Sequence, residues 1–310
     1  MTQDPNRTAA LMSTGKLAQV EADVVDLSSA WLDKTPADVG VTHLVQMARL
    51  HNLLGAKNHA YDDAQLSTQL KKLSRALIGL EFTLVQPLGV WARLMGEQKK
   101  AAEKFAGQYK QIAQCNAEVT ALAAALHERL QAESTTIERW LMELEVEQQA
   151  VSAIVDQASH WLSAMRIQLK ERHAAAADAP TQQTIKDEAA RCESLVVRMR
   201  LLRAISNSAG LVIQISRETA EQRSDLRKLL QQALMLDMRT WDMQLSSLVA
   251  AMRDAGGRKL GIDNPSEVHH DLQQRVTEVC TDCEILRKTE AALANQLAEL
   301  ALQLKVAQEA

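Results

Sequence analysis

The stretch from Glu97 to about His173 holds no proline and one glycine, Gly107. Apolar residues recur along it in steps of three and four: Phe105, Tyr109, Ile112, Cys115, Val119, Leu122 and Leu126. After a step of four to Leu130, the pattern resumes at Ile137, Leu141, Leu144, Val151, Val155, Ala158, Leu162, Met165 and Leu169. This is a heptad seam with one stutter, where four inserted residues locally unwind a supercoil. It predicts a helix about 115 Å long at 1.5 Å per residue. No ordinary globular core covers so long a helix, so the rest of the chain must run alongside it.

Partners with matching periodicity are present. Leu66, Leu70, Leu73, Leu77, Leu80 and Leu84 alternate steps of four and three up to Pro87. Beyond Asp178-Ala179-Pro180-Thr181, a second long segment runs to about Asp254. It carries Leu195, Met199, Leu202, Ile205 and Ala209, then Leu234, Met238, Trp241, Leu245, Leu248 and Met252. The loop from Gly256-Gly257 to Asn264-Pro265 precedes a third. Its seam is Leu272, Val276, Val279, Cys283, Leu286, Leu293, Leu297, Leu300 and Leu304, with Glu290 as a polar, partly exposed member. Two shorter amphipathic helices are expected nearer the start. One has Leu17, Val20, Val24, Leu27 and Trp31 on one face. The other spans Val41–Leu54, with Gly55 at its C-terminal cap and Leu44, Val45, Ala48 and Leu54 inward.

Aromatic residues make up only 3% of the chain, and its five prolines fall between the periodic segments. No strand is needed. The predicted fold is all-α: an elongated antiparallel three-helix coiled-coil bundle with shorter N-terminal helices packed at one end. Its parts are a disordered N-terminus (1–15), N-terminal helices (16–86), a Pro/Gly/Trp corner (87–96) and the long bundle (97–310).

The chemistry-bearing residues read mostly as structure. Cys280-Thr281-Asp282-Cys283 has a redox or zinc spacing, but it lies mid-helix without a second pair, so two small core residues are expected. Cys115 and Cys192 also fall on seams. His43, His51 and His59 recur every eight residues, a spacing that drifts around a helix, and are expected at the surface or partly buried. Lys99, Lys100, Lys104 and Lys110, and Arg198, Arg200 and Arg203, read as solvated flanks; contact with anionic lipid is the alternative. The net charge of −4, with both signs spread along the chain, marks no nucleic-acid binder and leaves only a local basic groove open. No phosphate loop or nucleophile elbow is found, and no cofactor or metal is expected. The N-terminus lacks an export signal and no apolar run approaches the roughly 18 residues of a membrane span. A cytoplasmic protein is expected, with peripheral contact at the inner membrane as the alternative.

The segment Pro87-Leu88-Gly89-Val90-Trp91-Ala92-Arg93-Leu94-Met95-Gly96, followed by a lysine-rich helix, resembles the entry of the TelA family of toxic-anion (tellurite) resistance proteins. Ile205, Asn207, Leu211, Arg217, Thr219, Ser224, Leu226 and Arg227 stand in the order and spacing of that family's most recognisable block. The order of elements fits from about residue 66 onward. Two departures mark a divergent member: Ser208 stands where a second asparagine is usual, and Ala220-Glu221-Gln222 replaces most of a threonine run.

The resemblance implies a non-enzymatic, helical accessory protein linked to tolerance of tellurite and other stresses. The candidate interaction surface is then Trp91, Arg93, Asn207, Arg217, Thr219, Ser224 and Arg227. The expected partners are proteins, among them other stress-response proteins. The long seams can be satisfied within one chain or between copies of it. Two other functions stay open: a peripheral protein binding anionic lipid through its basic flanks, and thiol-based detoxification of tellurite.

Overall fold

The computed structural model of the protein describes residues 36–58, 64–86, 97–175, 178–254 and 260–309. Among the described residues six α-helices carry the fold: α1 (Val41–Asn58), α2 (Ala64–Ile78), α3 (Glu97–Ala175), α4 (Ala179–Lys228), α5 (Met235–Asp254) and α6 (Asp263–Glu309). A π-helical segment, Leu229–Leu234, joins α4 to α5, and short 3₁₀ turns lie at Pro36–Asp38 and Phe82–Val85. No strand occurs among the described residues. The protein is an all-α helical bundle. The expected first helix (17–31), the N-terminal tail, the 87–96 corner and the Gly256-Gly257 turn lie outside the described residues.

These helices form two compact units, each discontinuous in sequence. The first holds the described parts of Met1–Ala60, Ser134–Glu218 and Glu290–Ala310; the second holds those of Tyr61–Glu133 and Thr219–Thr289. The first core is built by four helices: Leu44, Met47 and Leu50 of α1, Leu141–Leu169 of α3, Ile185–Ile213 of α4 and Leu293–Ala307 of α6. The second is also four-walled: Leu66–Leu77 of α2, Phe105–Leu126 of α3, Leu234–Val249 around α5 and Leu272–Leu286 of α6. The stutter between Leu126 and Ile137 therefore coincides with the change from one core to the other. The short helices divide between the units, α1 in the first and α2 in the second, where sequence periodicity grouped them at one end of a three-helix coil.

Neighbouring helices within a unit are antiparallel, as side-chain pairs show. In the first unit Arg172 meets Glu188 at 2.6 Å and Arg217 meets Glu145 at 2.6 Å, so α3 descends as α4 rises. In the second, Lys71 pairs with Glu284 while His269 reaches Leu77, so α2 and α6 also run oppositely. Helix starts are conventional. Asp178 accepts from the Thr181 N–H and hydroxyl at 3.1 and 2.8 Å, and these bonds hold its carboxyl below the usual range. Gly40, at φ +76°, opens α1; a Cβ there would meet Leu202 Cδ2 at 3.3 Å, so glycine serves both the backbone and the close approach of α4.

Several boundaries and faces differ from the sequence reading. α1 runs through Gly55 to Asn58, so that glycine is no cap, and Val45 is 50% exposed because α1 turns His43 and Met47 inward instead. α2 stops at Ile78, short of Pro87, leaving Leu84 half-buried in a 3₁₀ turn. Between α4 and α5 the buried residues Leu226, Leu230, Leu234 and Met238 follow in steps of four. Repeated fours drift around a regular α-helix, and the wider π turn offsets that drift. Glu290 is half-buried, as expected.

On α3 the buried stripe passes through Asn116, with Cys115 half-buried beside it. Neither atom of the Asn116 amide has a hydrogen-bond partner. An unsatisfied buried amide costs more than an apolar group of similar shape. Asn116→Leu is therefore expected to stabilise the second unit by about 1 kcal/mol, read as a higher urea midpoint at unchanged slope; a lower midpoint would show that the amide is satisfied in solution.

Candidate functional site

The residues of the recognisable block do not share one face. Trp91 and Arg93 lie outside the described residues. In the first unit Asn207 is exposed, and Arg217 donates to Glu145 at 2.6 Å with part of its side chain in solvent. In the second unit Thr219 is only 1% exposed, while Ser224 and Arg227 are half-buried. Successive helical residues are about 100° apart, so a contiguous block points its members to several sides. The structure turns Thr219 into the interior and removes it from any interaction surface.

The arginines of α4 separate in the same way. Arg198 was expected in a solvated flank but is only 5% exposed. Its Nε donates to the Val39 carbonyl at 3.1 Å and its Nη1 to the Ala307 carbonyl at 2.7 Å. Ala307 lies in the last turn of α6, where carbonyls lack helical donors, so the guanidinium closes a helix end and meets the negative pole of its dipole. Burial pushes the pKa of Arg198 down, while Asp38 opposes the shift.

A polar layer crosses the first core near α1. His43 Nδ1 and Glu147 Oε2 stand 2.8 Å apart, both almost fully buried. Beside Glu147, Gln148 donates to the Ser206 hydroxyl at 3.0 Å. His43 is thus a core residue and not a surface one, and no eight-residue repeat could signal that. His51 is half-buried with Nε2 2.8 Å from the Leu297 carbonyl, and His59 lies outside the described residues.

The thiols sit in or against the cores. Cys192 and Cys283 are buried and Cys115 and Cys280 half-buried. Burial is the leading cause that raises the pKa of Cys115, Cys192 and Cys280, which favours the unreactive protonated form. No metal-binding group of His, Cys, Asp and Glu is found among the described residues. Of the lysines at the start of α3, Lys104 is held by Glu81 at 2.9 Å while Lys99, Lys100 and Lys110 are exposed.

Between Val197 and Gln214 the exposed residues of α4 form a single stripe: Val197, Arg200, Arg203, Asn207, Leu211 and Gln214. Its steps of three and four are those of one helical face. Val197 is 64% and Leu211 46% exposed, although the interior of the same helix is filled by leucine, isoleucine and valine. Where α4 runs beside α3, this face borders a shallow cleft of about 280 Å³. Leu162, Val196 and Met199 form its floor, and Arg166, Arg200 and Arg203 stand around it. The spacing was legible in the sequence; what was missed is that Arg198 leaves the group, while Arg200 and Arg203 stay outside as expected.

No described helix is long and apolar enough to cross a membrane. Compared with protein-family models, curated proteins and solved structures, the chain matches none.

Proposed function

We propose that the protein is a non-enzymatic helical scaffold that holds a protein partner on the outward face of α4. The resemblance at Asn207, Leu211 and Arg217 supports a role in tolerance of toxic anions such as tellurite. The observation that carries the reading is the exposed stripe itself: Val197 and Leu211 stand in solvent around Asn207 on a helix whose core positions are already filled. Apolar groups kept outward on one face, with polar neighbours, mark interaction surfaces.

Leu211→Glu tests this. The side chain is exposed, so the helical circular-dichroism signal and the thermal midpoint should be those of the wild type. Growth of cells on tellurite should fall to that of cells lacking the protein, and co-purifying protein should be lost. Unchanged tolerance with this variant would count against the face. Sedimentation with phosphatidylglycerol vesicles separates the lipid alternative: binding abolished by Lys99→Glu and Lys100→Glu, with tolerance lost in parallel, would replace the scaffold by a membrane-bound role.

A further inference from the structure

We infer that the cleft between α3 and α4 of the first unit receives an acidic amphipathic helix of the partner, its carboxylates on Arg166, Arg200 and Arg203. The inference rests on the scaffold reading and specifies the partner's chemistry. Three guanidiniums surround one cleft in a chain whose net charge is −4, so the local field opposes that of the molecule. Arg200 and Arg203 make no hydrogen bond or ion pair among the described residues. Arg166 has only Glu193, 3.9 Å away with both side chains largely in solvent, and such a pair adds little stability. These guanidiniums contribute nothing evident to the fold.

The floor decides between a small ion and a peptide. Leu162, Val196 and Met199 offer apolar surface that a free anion would leave wet, and Ile167 and Val197, the next residues after Arg166 and Val196, are more than half exposed on either side. A trough between two antiparallel helices, apolar below and cationic at the rim, suits a third helix with apolar residues on one side and carboxylates flanking them. Guanidinium–carboxylate pairs can be bidentate, so such a partner gains register as well as attraction. Glu193, 3.9 Å from Arg166, would repel misplaced carboxylates and restrict the docking position.

The test uses the full chain and a fluorescent synthetic peptide of about 18 residues, long enough for about five helical turns. The peptide repeats leucine and glutamate at helical spacing; a control replaces glutamate with lysine. Anisotropy should show salt-sensitive binding of the glutamate peptide, weakened roughly tenfold or more by R200E/R203E, an effect equal to two lost charge pairs. The same double variant should gain affinity for the lysine peptide. Equal binding of both peptides by the wild type, or binding unchanged by R200E/R203E, would overturn the inference. So would loss of phosphatidylglycerol-vesicle binding in R200E/R203E when the glutamate peptide never bound. If Leu211→Glu abolishes tolerance but the glutamate peptide does not bind, the scaffold reading stands and the acidic partner falls. If the peptide binds as described but neither Leu211→Glu nor R200E/R203E affects tolerance, the cleft chemistry stands and the scaffold role falls.

Discussion

Replacing Arg198 with alanine should destabilise the first unit by about 2–4 kcal/mol, one of the two largest single-residue effects expected in this protein. The side chain donates to two carbonyls, Val39 and Ala307, that lie 159 and 109 residues away in sequence. Truncation leaves both without that donor in a buried setting and removes a positive charge from the C-terminal end of α6. Arg198→Lys should recover only part of the loss, because one ammonium on a flexible stem does not reproduce two diverging N–H groups of a planar fork. Native-state hydrogen exchange read by mass spectrometry is the suitable measurement, since it reports peptides of each unit separately. The protection of α1 and the end of α6 should fall most. A loss below about 0.5 kcal/mol would mean that water replaces the guanidinium.

Trp241 is the corresponding point in the second unit. It is fully buried, stacks on Tyr109 with ring centres 5.5 Å apart, and donates its indole N–H to His269 Nδ1 at 3.0 Å. An indole can only donate, so Nδ1 is the acceptor and the imidazole proton sits on Nε2, which donates to the Leu77 carbonyl at 3.0 Å. Phe82 meets the same imidazole edge-on at 5.2 Å, and Phe105 packs edge-on against Phe82 at 5.9 Å, so both phenylalanines of the chain join the cluster. Trp241→Ala should cost about 3–5 kcal/mol, through lost burial and the cavity left behind. Trp241→Phe keeps most of the packing but leaves Nδ1 without its donor, and should cost about 1–2 kcal/mol.

The same geometry sets a pH dependence. Burial holds the pKa of His269 below its ordinary 6.5, with the Leu77 carbonyl opposing and His270 adding to the shift. A second proton on Nδ1 would also face the indole N–H, donor against donor. Just below pH 6.5 the unfolded chain therefore takes up a proton more readily than the native ring does. The contribution is fully present above that pH and is lost as the pH falls below it, by up to about 1.4 kcal/mol per pH unit. His269→Gln can accept and donate as the neutral ring does, so it should flatten this part of the curve with little change at neutral pH. Urea midpoints measured across the range, for the wild type and this variant, check both statements.

Much of this architecture was legible because it is periodic. The absence of proline and the 3–4 spacing gave α3 its limits almost to the residue, and the seams of α4, α5 and α6 are the buried stripes observed. What periodicity misses is the partner. A helix with neighbours on two sides buries more than a narrow stripe, so His43 and Thr219 went inside although each looked polar and local. The buried roles of Arg198 and His269 were illegible for a related reason: their partners are carbonyls near helix ends more than 100 residues away, and no local pattern encodes such a meeting. The candidate site was half legible. Asn207 was identified and is exposed, whereas Arg200 and Arg203 looked like any solvated flank until Arg198 was seen to part from them.

The interleaving of the two cores bears on how a ribosome can deliver them. The first joins Leu44 to Leu304 and the second Leu66 to Leu286, so neither closes when its earliest helix emerges. At ordinary synthesis speeds, roughly ten to fifty seconds separate the two ends of each core. Through that interval the nascent α3 carries its apolar stripe without its final walls, an obvious client for a holding chaperone.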